Sequence, residues 1–114
     1  MHKLCRIDIG RGNEIYEEID NKLKELAKKL RVKYKVSEII VFGSYARADL
    51  NEGSDIDMVI VADFKARFHK RIPDVLGLTD LPIEPWCYTE EEFRAMILNK
   101  NDFITEVLKE GMTI

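Results

Sequence analysis

Asp55 and Asp57 stand one residue apart at the head of the apolar run Met58-Val59-Ile60-Val61, and ten residues separate Asp55 from Ser44 of the pair Gly43-Ser44. Residues i and i+2 of a strand project to one face, so the two carboxylates share a side with Cα atoms ~6–7 Å apart at the usual strand rise. Acids so placed can each reach one or both of two Mg²⁺ ions ~3.5–4 Å apart, the clamp used for in-line phosphoryl displacement. Mg²⁺ takes hard oxygen ligands and keeps waters, so two acids plus substrate phosphates suffice. The expected third acid is Glu84, a charge in mid-strand between Ile83 and Pro85; beside the second strand it could bind metal and help remove a hydroxyl proton. Asp49, Glu52 and Asp63 are weaker rivals, since turn-like segments carry acids anyway.

Gly43-Ser44 supplies the other half of the chemistry. A glycine lets backbone approach a ligand closely, and unpaired N–H groups at the start of a helix favour anions. Ser44 is expected to cap a short helix running to about Ala48, with Arg47 one turn in, reaching a phosphate or a partner protein. Gly-Ser before a helix is by itself an ordinary turn, and Asp-x-Asp by itself is common. Their conjunction, each at the boundary of an apolar strand and followed by a third strand acid, points to phosphoryl chemistry.

The elements that must position these residues are legible. Ile15, Ile19, Leu23, Leu26 and Leu30 recur at helical spacing, predicting an amphipathic helix from about residue 14 to 31. Glu18–Lys22, Asp20–Lys24 and Glu25–Lys29 form its solvated face. Val36 to Phe42 reads as a strand entering the glycine turn, and Ser54 to Ala62 as a central strand, apolar on both faces. Phe64, Phe68 and Ile72 then sit four apart in a helical segment that Pro73 either ends or extends by a further turn. Residues 81–88 read as a third strand whose prolines favour a sheet edge or a bulge. Thr89 and Glu92 make a capping box for a helix burying Phe93, Met96 and Ile97. A last helix starts at Asn101 or Asp102, buries Phe103, Ile104, Val107 and Leu108, and closes at Gly111. The order predicts an α/β or α+β single domain spanning residues 1–114, a small mixed sheet flanked by helices.

Composition narrows the field. A chain of 114 residues suits one core rather than a catalytic core plus a substrate-gripping domain. The net charge of −3 gives no electrostatic case for nucleic acid as an extended ligand. No apolar stretch approaches a membrane span and no signal-peptide core follows Met1, so a cytoplasmic location is expected. Cys5 and Cys87 match no metal spacing and read as reduced structural thiols. His2 and His69 are isolated, Gly10-Arg11-Gly12 lacks a preceding strand, and the basic stretch of Lys65, Arg67, Lys70 and Arg71 reads as a solvated helix face, with contact to an acidic partner or a triphosphate as the alternative. Phe42, Tyr45, Trp86 and Phe93 read as core or rim packing rather than base-stacking platforms. The charged fraction of 34%, rich in Lys and Glu, would suit a heat-adapted organism.

At the stretch from Val36 to Arg47, at Ser54-Asp55-Ile56-Asp57, at Leu81-Pro82-Ile83-Glu84-Pro85 and at Tyr88 to Phe93, the chain resembles the minimal nucleotidyltransferases of the polymerase-β superfamily. These are small proteins often encoded as antitoxins beside HEPN-domain toxins. The resemblance implies a polymerase-β-like nucleotidyltransferase fold, Gly43, Ser44 and Arg47 at the triphosphate, and Asp55, Asp57 and Glu84 as metal-binding catalytic acids. It further implies Mg²⁺ as cofactor, two ions by analogy, ATP as substrate, and transfer of AMP to a hydroxyl, expected to be a tyrosine, of a partner HEPN toxin. Ala48 stands where the family usually carries glycine, a departure at the phosphate turn that leaves the acids intact. The rival expectations are a non-catalytic antitoxin that acts by contact alone, and transfer to a small molecule or an RNA end.

Overall fold

A computed structural model describes residues 11–47 and 55–114, with side chains described from residue 16 onward. Helix α1 (Arg11–Lys33) leads into strand β1 (Val36–Phe42), and strand β2 (Ile56–Ala62) follows the glycine turn. Helix α2 (Phe68–Leu76), strand β3 (Ile83–Tyr88), helices α3 (Glu90–Leu98) and α4 (Asp102–Glu110), and a two-residue strand β4 (Met112–Thr113) complete the order. The sheet runs β3-β2-β1-β4, with β2 and β3 parallel and the other pairings antiparallel. A parallel pair needs a crossover, and α2 provides it. The prolines around β3 accord with its place at the sheet edge.

The period-two pattern of the strands divides the core between two faces. Ile39, Val41, Ile56, Met58, Ile60, Ile83 and Cys87 turn toward α1, which answers with Leu23, Leu26, Ala27 and Leu30. Ile40, Val59, Val61 and Tyr88 turn the other way, against Phe93 of α3 and Ile104 and Val107 of α4. Because β2 lies inside the sheet, Met58 through Val61 are buried on both faces, as its unbroken apolar run requires. Capping confirms the helix starts: Thr89 and Glu92 form the full capping box, and Asn101 accepts from the Ile104 N–H at 3.1 Å. Of the expected solvated pairs on α1, Asp20 and Lys24 meet at 3.2 Å.

The structure corrects several expectations. Phe64 is buried but precedes α2, and Phe68 is 44% exposed. The buried face of α2 is instead Arg71 and Val75, and the helix runs through Pro73 to Leu76. Ile97 and Leu108, expected inside, are substantially exposed; the buried residues are Phe93 on α3 and Ile104 and Val107 on α4. β4, too short to carry a period, was not expected. The opening residues 1–10 and the expected roles of Cys5 and His2 lie outside the described residues.

Arg71 is the largest correction to the basic stretch around His69. It is 6% exposed, donating from Nε to the Ala66 carbonyl at 2.9 Å and from Nη1 to the Cys87 carbonyl at 3.2 Å and Glu92 at 2.6 Å. Its guanidinium also lies over the Phe64 and Phe68 rings, so a single side chain ties α2, β3 and α3 together. The Arg71 hydrogen bond, more than any other influence, holds the Glu92 carboxyl below its ordinary range. Arg71→Met strands two carbonyls and removes the partner of Glu92, with an expected cost of about 2–4 kcal/mol in a denaturant melt. Part of that loss should vanish at low pH, since a depressed carboxyl contributes stability that disappears as pH falls through its folded-state value. Burial pushes the neighbouring Cys87 thiol up to about 12, which accords with an inert structural thiol.

Candidate active site

The exit of β1 and the entrance of β2 meet at one end of the sheet. Phe42 pairs with Asp57, and Asp57 in turn pairs with Glu84 across the parallel ladder, so the two acids sit side by side on the face that carries α3 and α4. The parallel register is what brings together residues far apart in sequence. Glu84 is exposed and Asp57 half-buried. Burial, a hydrogen bond to Glu84 and the charges of Glu84 and Asp55 together push the Asp57 carboxyl up to about 6, while Arg47 pulls it down.

Gly43 makes this proximity possible. Its φ of +74° lies in the left-handed region, and a Cβ there would collide with Asp57 Oδ2. Only a residue without a side chain lets the turn pass over that carboxylate. The Arg47 N–H closes onto the Gly43 carbonyl at 3.0 Å. Residues 43–47 form a turn, and the short helix expected from Ser44 to about Ala48 runs into residues outside the described ones; the local backbone donors are what the turn offers an anion. Below it, Tyr45 is buried, its ring 5.6 Å from that of Tyr16 and its hydroxyl donating to Asp20 at 3.3 Å. The turn is thereby bolted to α1 while Ser44 and Arg47 stay accessible.

The sequence-derived residues therefore assemble unevenly. Asp57, Glu84, Gly43 and Arg47 come together. Asp55 is exposed just before β2, near enough to raise Asp57 but with less effect than Glu84. Among the described residues no three His, Cys, Asp or Glu side chains converge into a ready-made metal cage. Asp63 is removed as a rival: it lies at the far end of β2 and accepts from the Lys35 N–H at 2.8 Å. Asp49, Glu52 and Ala48 fall outside the described residues.

The donor set suits Mg²⁺ all the same. It consists of hard carboxylate oxygens whose mutual repulsion is visible in the raised Asp57, and a divalent cation relieves that repulsion. The sign of the pH effect follows. A carboxyl whose folded-state value is raised contributes most to stability when protonated and loses that contribution as pH rises from 3.8 through about 6. Without divalent cation the protein is expected to lose stability at this group between about pH 4 and 6, on the order of 1 kcal/mol after solvent screening. Millimolar Mg²⁺ should flatten that slope in thermal melts; an identical slope with and without Mg²⁺ would count against the assignment.

An apolar wall adjoins the acids. Asp55 and Glu84 border an open cavity of about 340 Å³ lined by Ile72, Leu76, Ile83, Pro85 and Trp86. Trp86 and Phe42 both pack on Phe103 of α4, with ring centroids 5.0 and 5.6 Å away, consistent with their reading as rim packing.

One residue at the site escaped the sequence reading. Glu110, in the last turn of α4, accepts from the Gly43 N–H at 3.3 Å and from Arg47 at 3.4 Å. A signal existed: an acid at a helix C-terminus opposes the helix dipole and calls for a compensating partner.

Comparison with known proteins gives the family and the fold. Residues 23–111 match the family model of the nucleotidyltransferase domain. A Methanocaldococcus jannaschii relative named a "putative protein adenylyltransferase" is 37% identical over 90 residues, covering 78% of this chain and 86% of its own. Another from the same organism, with the same description, is 51% identical over 43 residues, covering 36% of this chain and 43% of its own. A Thermococcus cleftensis protein adenylyltransferase is 40% identical over 65 residues, 57% of this chain and 59% of that protein. Several of these matches thus span about half the length of the relatives. A Sulfolobus solfataricus crystal structure described as a "putative nucleotidyltransferase" superposes with a TM-score of 0.66 at 19% identity, covering 94% of this chain and 89% of the other. Among the described residues no helix is long and apolar enough to cross a membrane.

Proposed function

Since the chain belongs to the nucleotidyltransferase domain family, we propose that it transfers AMP from ATP to a hydroxyl group on a partner protein, at the site formed by Asp57, Glu84, Asp55 and the Gly43–Arg47 turn. The observation that carries this reading is the Asp57–Glu84 pair beneath a left-handed Gly43, a carboxylate pair set against a phosphate-sized turn. A protein acceptor is supported by the names of relatives called protein adenylyltransferases. A tyrosine of a HEPN-type toxin, an antitoxin role and a cytoplasmic location follow from the family resemblance of the motifs.

In the reaction the acceptor oxygen attacks the α-phosphorus, an O–P bond forms, and the bond to the departing pyrophosphate breaks. Asp55, Asp57 and Glu84 would hold Mg²⁺, which supplies charge neutralisation at the phosphates and favours the ionised acceptor. Glu84 stands at the exposed edge of the pair, beside the apolar wall, and is placed to take the acceptor's proton. A tyrosine hydroxyl ordinarily holds its proton until pH ~10, so such assistance is required. Backbone N–H groups of the turn and the Arg47 guanidinium orient the triphosphate. The apolar wall of Leu76, Pro85 and Trp86 offers an aromatic acceptor a surface next to Glu84.

The test uses ATP labelled at either the α- or the γ-phosphate, with a HEPN-type protein as acceptor. The α label should appear on the acceptor and the γ label should not. Glu84→Gln should slow labelling by roughly 10²–10⁴-fold, the usual worth of a positioned proton acceptor. Toxin neutralised equally by wild type and variant without any label would establish the contact-only alternative instead.

A further inference from the structure

Glu110 occupies an unfavourable place for an acid. The carbonyls at the end of a helix carry partial negative charge and favour cations there. Local architecture nevertheless fixes it at that point. The Gly111 N–H bonds to the Val107 carbonyl at 2.7 Å, and a Cβ on Gly111 would collide with Ile40 Cγ2. β4 then pairs at once with β1, Val41 opposite Met112 and Ile40 opposite Thr113. The chain thus turns from α4 onto β1 within one glycine, which delivers the Glu110 carboxylate to the point where β1 enters the Gly43 turn. There Oε1 takes the Gly43 N–H and the Arg47 guanidinium. Both bonds are long for their kind, and the side chain is 32% exposed, so the carboxylate has a way out to solvent.

We propose that Glu110 is an internal anion that holds the phosphate donors of the Gly43–Arg47 turn and must yield them when a triphosphate binds, so that it sets nucleotide affinity. The inference rests on the nucleotidyl-transfer reading and deepens it. The two donors that Glu110 engages are among those that reading gives to phosphate oxygens. A triphosphate carries more charge than a carboxylate and can replace it, but Glu110 must then give up two hydrogen bonds while its charge stays near the ligand. Both consequences oppose nucleotide binding, and the second is electrostatic, so it weakens with salt. In exchange, Glu110 keeps Arg47 engaged at the turn and shares it with Asp57, whose carboxyl Arg47 also stabilises.

Calorimetric titration of ATP with Mg²⁺, and separately of inorganic triphosphate, into the full chain tests this. Glu110→Gln keeps the side chain's shape and its ability to accept from Gly43, and should bind either ligand about five- to tenfold tighter than wild type, about 1–1.4 kcal/mol. The advantage should shrink as salt is raised, and in turnover it should lower KM rather than raise kcat. Glu110→Ala should show the same direction, and thermal melts confirm that both variants are folded. A merely structural Glu110 would instead give a lower Tm and weaker binding. Measurable wild-type binding that is equalled or weakened in the folded Gln variant overturns the proposal. If wild type and variants alike bind neither ligand, the nucleotidyl-transfer reading falls and takes this inference with it, a result distinct from equal but measurable affinities.

Discussion

Asp57→Asn should abolish AMP transfer, lowering its rate by about a thousandfold or more, while making the protein without divalent cation more stable. The two effects come from one cause. Asp57 sits half-buried between Glu84 and Asp55, and those neighbours and its burial raise its carboxyl to about 6. At pH 7 it is ionised against that opposition, so neutralising it removes repulsion on the order of 1 kcal/mol after screening. Asn retains the shape and can donate to Glu84, so no cavity or unpaired group offsets the gain. Thermal melts at pH 7 without Mg²⁺ should show a Tm a few degrees above wild type, and the slope between about pH 4 and 6 should fall away. Added Mg²⁺ should then stabilise wild type and leave the variant unmoved. A variant less stable than wild type without metal would mean that Asp57 serves the fold rather than the site.

Gly43→Ala ranks second. The left-handed backbone at this position costs a residue with a side chain ~1 kcal/mol. The added methyl collides with Asp57 Oδ2 and lies 3.3 Å from its Cγ, so the carboxylate must swing off the register that sets it beside Glu84. The expected outcome is a loss of about 1–3 kcal/mol in stability and about a hundredfold in transfer, the scale of a misplaced reacting group. Gly77 supplies the control. Its backbone is ordinary and a Cβ there would meet nothing nearer than 3.6 Å, so Gly77→Ala should change neither quantity appreciably. Comparable losses in both variants would show that the Gly43 effect is not a matter of its contact with Asp57.

What could be read from the sequence divides along physical lines. β1 was readable to the residue because an apolar β-branched run ended on a glycine, and α3 because Thr89 and Glu92 announced its start. Asp57 and Glu84 were readable as candidates because a charge inside a strand is rarely accidental. That they touch was not, since it depends on the parallel register of β2 and β3, which neither strand encodes alone. Arg71 misled for a related reason: a basic residue in a basic stretch looks solvated, and only the convergence of Cys87, Ala66 and Glu92 explains its burial. β4 is too short for periodicity, and Glu110 was hidden because its partners lie 67 and 63 residues away.

The site is correspondingly economical. One glycine lets a turn cross a carboxylate, one parallel register doubles that carboxylate, and one short strand brings an opposing acid to the turn. The acids are placed by the centre and edge of the sheet, whereas the proposed donors for phosphate come from the turn that follows β1. Affinity for nucleotide and efficiency of transfer should therefore respond to different substitutions: Glu110 and Arg47 to the first, Asp57 and Glu84 to the second.

The most direct measurement is the paramagnetic broadening of backbone amide resonances by Mn²⁺ in the presence of ATP. The amides of Gly43, Ser44, Asp55, Asp57 and Glu84 should broaden first and together, and Asp57→Asn should abolish the effect at the same Mn²⁺ concentration. Broadening centred elsewhere on the chain, or left unchanged by Asp57→Asn, would contradict the assignment of this cluster as the metal and nucleotide site.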